Sequence, residues 1–168
     1  MTMTTSTSPV LSPRMGWATF DTSVPGAVAA LRSLGQAVDG TGLDKRLIEL
    51  VKVRVSQING CAFCLKLHLD WARQAGVAAV QLDLLPTWRD VDCFDARARA
   101  ALDWAEALTG MASHHIDDAT HERAAAQFSA GEFAALTASI AAINAWNRIA
   151  GSLRFTPPGV TTKAERTA

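Results

Sequence analysis

Tyrosine is absent, cysteine occurs three times, and the 168-residue chain carries no excess charge, with 16 Lys plus Arg against 16 Asp plus Glu. Neutralising a phosphate backbone requires a basic surplus, so a nucleic-acid binder is not expected. No apolar run reaches the roughly 18 to 20 residues of a membrane span, and the N-terminal stretch lacks the charged-then-apolar layout of a secretory leader. The expectation is a cytoplasmic protein that works away from membranes. Three cysteines are too few for the disulfide framework of a small secreted domain; in a reducing compartment a close pair points to redox or metal chemistry instead.

What is present is half hydrophobic, at 49%, and long enough for one domain with one sizeable core. Residues 1–14 are rich in Ser, Thr and Pro and are expected to form a flexible extension. Residues 156–168, from the Pro157-Pro158-Gly159 stop onward, read as a solvated tail, which leaves 15–155 as the folded domain. Within it Ala is abundant and apolar residues recur at three and four, so the fold class is all-α. The expected helices run near 24–38, 43–58, 61–75, 78–85, 95–112, 118–128 and 130–154. Thr41 with Asp44, and Ser129 with Glu132, have the spacing of capping boxes; Pro25 after Thr22 and Ser23 suits a first turn; Gly76 and Gly110 suit C-caps. Val51, Val53 and Val55 alternate with Lys52 and Arg54 as in a half-buried strand. Leu47, Val51, Val55 and Ile58 also make a helical stripe, and no second strand is present to pair with, so helix is preferred.

The informative stretch reads Glu49, eleven residues, Cys61, two residues, Cys64, three residues, His68. A Cys-x-x-Cys pair at a helix start lets exposed N–H groups and the helix dipole stabilise a thiolate, and lets one sulfur reach the other. His68 follows Cys64 by one helical turn, where an imidazole can share the thiol proton. Counting from the Asn59-Gly60 turn at about 1.5 Å per residue, Glu49 and His68 lie at depths of roughly 16 and 12 Å on two antiparallel helices. Antiparallel packing would therefore set the carboxylate beside the imidazole. Leu47, Ile48, Leu50 and Val51 surround Glu49 in sequence, so burial is expected to raise its pKa toward a range useful for proton transfer. The reading is a relay from Glu49 through His68 to Cys64, with Cys61 placed to resolve an oxidised Cys64. Alternatives are a buried pair of inert cysteines, or a zinc site completed by Cys93 or His114.

The run from Arg54 to Cys64, with His68 and Ala72-Arg73, resembles the AhpD-like alkylhydroperoxidase branch of the carboxymuconolactone decarboxylase family. The resemblance extends to Leu85-Pro86-Thr87-Trp88-Arg89 and to the stretch from Ala141 to Arg148, and so covers most of the folded chain. It implies an AhpD-like helical bundle with a central antiparallel hairpin carrying the cysteine pair, assembled as a homotrimer or homohexamer. It also implies a thiol-dependent peroxidase with Cys64 as the peroxidatic thiol, Cys61 as its resolving partner, and His68 and Glu49 as the proton relay. The implied partners are a hydroperoxide and a dithiol reductant, either a lipoyl-carrying protein or a thioredoxin-like one; no further cofactor is implied. The resemblance breaks at Phe63, where alkylhydroperoxidase D has a second histidine just before its second cysteine. A redox-switched oligomeric module without catalysis is the alternative from another class. Decarboxylation fits less well, because that branch does not work through a cysteine pair and no cluster of cations for a charged lactone stands out.

Other polar and aromatic residues are assigned plainer roles. Asn144, Asn147 and Arg148 share one helical face and are expected to bond loops or a neighbouring subunit. Trp17, Trp71, Trp88, Trp104 and Trp146 are expected to pack, with a border on a substrate cavity as the alternative for Trp71, three residues beyond His68; Cys93 is expected to be a bystander, and His114, His115 and His121 to lie outside the chemistry.

Overall fold

The computed structural model describes residues 12–161; the two expected terminal extensions fall largely outside the described residues. The described residues form eight α-helices and one short 3-10 helix, with no strand among them: α1 (Trp17–Ser23), α2 (Pro25–Asp39), α3 (Lys45–Ile58), α4 (Ala62–Gln74), α5 (Ala79–Leu84), a 3-10 turn (Leu85–Asp90), α6 (Ala96–Gly110), α7 (Asp118–Ala125) and α8 (Ala130–Leu153). All seven expected helices are present within a few residues. The short α1 is additional, and the chain enters the fold where Arg14 and Met15 donate their backbone N–H groups to the Leu153 carbonyl.

Helix α3 is central, packed by α4, α6 and α8. Its Val51, Val53 and Val55 are fully buried together with Leu47, Ile48 and Leu50. The strand-like alternation in the sequence thus arises from a helix that is covered on more than one side, not from a pleat. A three-residue turn joins α3 to α4, and Gly60 there takes φ +64°, a left-handed conformation that a Cβ would penalise. A second junction of this kind is Gly76 (φ +87°) after α4.

The caps are partly as expected. Ser129 and Glu132 form a complete capping box at the start of α8. At α3, Asp44 is itself the cap and accepts from the Arg46 N–H, while Thr41 instead turns its hydroxyl back to the Val38 carbonyl. Pro25 does occupy the first turn of α2, but the capping position is Val24 rather than Thr22 or Ser23. Gly110 lies inside α6 without positive φ, so it is no C-cap. Behind α3, Glu106 of α6 accepts from Arg54 Nε at 2.7 Å, from Trp88 Nε1 at 2.8 Å and from Arg89 at 2.5 Å, tying α3, α6 and the 3-10 turn together. No described helix is long and apolar enough to cross a membrane.

Candidate active site

Cys61 is the N-cap of α4, and its sulfur accepts from the Cys64 backbone N–H at 3.3 Å. Both sulfurs are reduced and almost fully buried, at 1% and 3% exposure. The cap position decides how the pair ionises. A hydrogen bond from the Cys64 thiol, opposed by burial and aided by the N–H groups of Cys64 and Phe63, brings Cys61 down to about 7. The Cys64 thiol is pushed up in turn, because it donates to Cys61, is buried, and faces the charge that Cys61 carries. The pair therefore shares one negative charge, and it rests at the helix start, where the dipole and free N–H groups favour an anion.

His68, one turn along α4, reaches α3: its Nδ1 lies 2.7 Å from Glu49 Oε2, with both residues buried. Burial alone would raise the Glu49 pKa, but the His68 hydrogen bond and the charges of Lys52, His68 and Lys45 outweigh it and hold the carboxyl at about 2. This corrects the expectation of a raised Glu49: Lys52 and Lys45, at 3.2 and 3.3 Å from Oε1, are cations that its apolar sequence neighbours conceal. Burial lowers the His68 pKa despite the Glu49 carboxylate, which favours the neutral imidazole. An ionised carboxylate only accepts, so the ring proton sits on Nδ1 and donates to Glu49, leaving Nε2 as the basic nitrogen.

A cavity of about 450 Å³ opens against Cys64 and His68, while Cys61 lies behind its wall. Trp17, Phe63, Trp71 and Trp146 line it. Trp71 is thus not a core residue, as expected from sequence, but 42% exposed and edge-on to His68 at 5.0 Å. Phe63 stacks on Trp17 at 6.3 Å and meets Phe155 edge-on at 5.5 Å, so an aromatic cluster occupies the place of a second histidine. Arg32, Lys45 and Lys52 also line the cavity, a set of cations from two helices that the linear sequence does not group. The zinc alternative lacks a ligand set: among the described residues no three His, Cys, Asp or Glu side chains stand close enough to hold a metal.

Asn147 of α8 matters more than its sequence context indicates. The Ser56 hydroxyl spends its proton on the Lys52 carbonyl at 2.8 Å, so toward Asn147 Nδ2, at 3.2 Å, it can only accept. Asn59 of the turn donates to Asn147 Oδ1 at 2.9 Å, and equally to Asn144 Oδ1. The amide orientation is fixed from both ends, and the Asn147 side chain lowers both thiols. The loop-bonding role expected for Asn144 and Asn147 is met through Asn59; the influence of Asn147 on the thiols comes from the α3, α4 and α8 packing and leaves no signal in spacing. Cys93, only partly buried, is no part of this group.

The family model for the carboxymuconolactone decarboxylase family matches residues 16–107, which include Glu49, Cys61, Cys64 and His68. The chain is 33% identical over 109 residues to the uncharacterised protein YdfG of Bacillus subtilis, covering 65% of this chain and 74% of that one. Its fold superposes with a TM-score of 0.82, at 35% identity over 89% of this chain and all of the other, on a protein of unknown function from Agrobacterium tumefaciens that has been linked to antioxidant defence as an AhpD. A peroxidase-related protein with an AhpD core from Ralstonia eutropha shares the fold at TM-score 0.73 and 22% identity, over 89% of this chain and 78% of that one. The chain belongs to the carboxymuconolactone decarboxylase family, and its helical fold is AhpD-like.

Proposed function

We propose that the chain is a thiol peroxidase that reduces organic hydroperoxides through Cys64 and Cys61. The observation that carries this reading is the division of labour at the α4 start: Cys64 faces an apolar cavity together with His68, while Cys61 sits behind it as the charged cap. The Cys64 sulfur attacks the distal peroxide oxygen, the S–O bond forms as O–O breaks, and the products are a Cys64 sulfenic acid and an alkoxide. The proton shared between the two sulfurs passes by way of His68 Nε2 to that alkoxide, releasing the alcohol. The Cys61 thiolate then attacks Cys64 sulfur and expels hydroxide, which leaves as water with a proton drawn from solvent through His68. A dithiol protein, lipoyl-carrying or thioredoxin-like, supplies the two electrons and two protons that reopen the disulfide.

Glu49 does not carry a proton in this scheme. Held ionised, it orients His68 and keeps Nε2 basic. The apolar lining suits an organic peroxide better than hydrogen peroxide, because the rings exclude water and contact carbon. The test is single-turnover oxidation by cumene hydroperoxide, followed by mass spectrometry. Wild-type protein is expected to form a Cys61–Cys64 disulfide, Cys61→Ser to stop at a Cys64 sulfenic acid, and Cys64→Ser to consume no peroxide. Peroxide consumption by Cys64→Ser would overturn the assignment.

A further inference from the structure

The two oxygens of Glu49 have different neighbours. Oε2 meets His68 Nδ1 at 2.7 Å, while Oε1 meets Lys52 Nζ at 3.2 Å and Lys45 Nζ at 3.3 Å. A buried carboxylate facing an imidazole alone would favour the imidazolium, because an opposite charge at hydrogen-bond distance stabilises the charged form. An imidazolium has no basic ring nitrogen and cannot take a proton from the cysteine pair. The peroxidase scheme needs the neutral ring, so the Glu49 charge has to be offset from its other oxygen.

The two lysines are not equivalent there. Lys45 opens α3 with its side chain 48% exposed and is held by Asp39 at 2.8 Å, so its charge is both compensated and screened by water. The Lys52 side chain is 13% exposed, lines the cavity together with His68, and has Glu49 as its one carboxylate among the described residues. At nearly equal distances from Oε1, the more enclosed ammonium acts through the lower dielectric and carries the larger share. Burial lowers the His68 ring, the Glu49 bond and charge raise it, and Lys52 ahead of Lys45 lowers it again.

No other charge around the ring replaces Lys52. On α4, Lys66 and Asp70 pair with each other at 2.5 Å, and the negative charge of the cysteine pair favours the imidazolium. On α2, Asp39 is engaged with Lys45, and Arg32 lies over the Trp17 ring at 5.4 Å. Helix α8 lines the cavity with no titratable side chain.

Resting on the peroxidase reading, we propose that Lys52 is a positioning residue for proton transfer: by holding Glu49 Oε1 it lets Glu49 orient His68 without converting the ring to an imidazolium, so that Nε2 stays open to the proton of the cysteine pair. Glu49 alone would fix the tautomer at the expense of the base, and the ammonium on its far oxygen separates the two effects.

The direct readout is the His68 ring, followed through its carbon-bound proton resonances in a pH titration of the reduced protein and assigned by their loss in His68→Gln. Lys52→Met keeps the packed stem without the ammonium and is expected to move the His68 midpoint up by about one pH unit, a tenfold change in the ratio of imidazolium to imidazole. Lys52→Arg keeps the charge and should restore the midpoint, and Lys45→Met should move it by about a third as much or less. In single-turnover oxidation of Cys64 by cumene hydroperoxide, the loss in Lys52→Met should reach about tenfold at the acid end of the profile and shrink as pH rises through neutrality. A midpoint that stays or falls in Lys52→Met overturns the proposal, as does an equal rise in Lys45→Met or a rate loss that is the same at every pH. Should Lys52→Met be poorly folded, Lys52→Gln is read in the same way. If no peroxide oxidises Cys64, the peroxidase reading falls, and the His68 titration still decides on its own whether Lys52 sets the charge of the ring.

Discussion

His68 Nδ1 and Glu49 Oε2 meet at 2.7 Å across the α3–α4 turn, nineteen residues apart in sequence, and neither is accessible enough to exchange that bond for water. The contact fixes the imidazole tautomer and leaves Nε2 as the basic nitrogen of a residue that lines the Cys64 cavity. Glu49→Gln keeps the volume and removes the charge. The expected outcome is a loss of about 10- to 100-fold in the rate of Cys64 oxidation, the usual cost of losing a partner that orients a histidine. Glu49→Asp, which restores the charge at a longer reach, should recover part of it. A rate for Glu49→Gln within twofold of wild type would show that His68 needs no carboxylate.

The same bond has a signature in stability. The Glu49 carboxyl is held at about 2, below its ordinary 4.5, so the folded state binds fewer protons than the unfolded chain between those values. Its contribution is fully present above about 4.5 and is lost as pH falls toward 2. Denaturant midpoints measured from pH 6 down to pH 2.5 should fall more steeply for wild type than for Glu49→Gln. Parallel curves would contradict the lowered pKa.

The cysteine pair should titrate once near neutrality. Since Cys61 is brought down to about 7 while Cys64 is pushed up, thiolate appears as pH rises through about 7 and belongs to the pair. Ultraviolet absorbance of the thiolate is expected to show one step there, absent in Cys61→Ser. In that variant the Cys64 thiol loses the neighbouring charge, and its own titration should move down toward the ordinary cysteine range. A wild-type step no lower than the roughly 8.5 of a free thiol would show that the N-cap does not stabilise the anion.

Local signals carried the helices and the Glu49, Cys61, Cys64 and His68 spacing, because both depend on periodicity along one or two neighbouring elements. Pairing Glu49 with His68 required only a rise per residue and a turn at Asn59-Gly60. The sign of the Glu49 shift was not legible, since it depends on where the Lys45 and Lys52 ammonium groups point. Trp71 takes the less favoured of its two sequence readings, because α4 faces a cavity rather than a core on that side. Asn147 lies on α8, about eighty residues from the cysteines, and only tertiary packing brings it to their site.

Asn147 tests that packing directly. Its amide is fixed by Ser56 and Asn59 and lowers both thiols. Asn147→Ala removes a donor from both thiols, so the titration near 7 should move up and iodoacetamide labelling at pH 7 should slow. Asn147→Asp replaces a donor with a negative charge and should move it further in the same direction. A purely structural role would lower the melting temperature of both variants without displacing the titration.

Phe63 gives the last prediction, because it stands where the resemblance to alkylhydroperoxidase D breaks. It is held in a cluster with Trp17 at 6.3 Å and Phe155 at 5.5 Å, and Trp17 in turn touches Trp146 at 6.1 Å. A histidine placed there would exchange ring packing for a polar edge beside an apolar wall. Phe63→His is therefore expected to cost about 1–3 kcal/mol of stability, from lost aromatic contact and burial of a polar group, read as a drop in denaturant midpoint. The rate of Cys64 oxidation should not rise, since Nε2 of His68 already provides the base and the cluster shapes the approach to the sulfur. A faster and equally stable Phe63→His protein would show that the aromatic cluster is a substitute for the missing histidine and not a wall built for a different substrate.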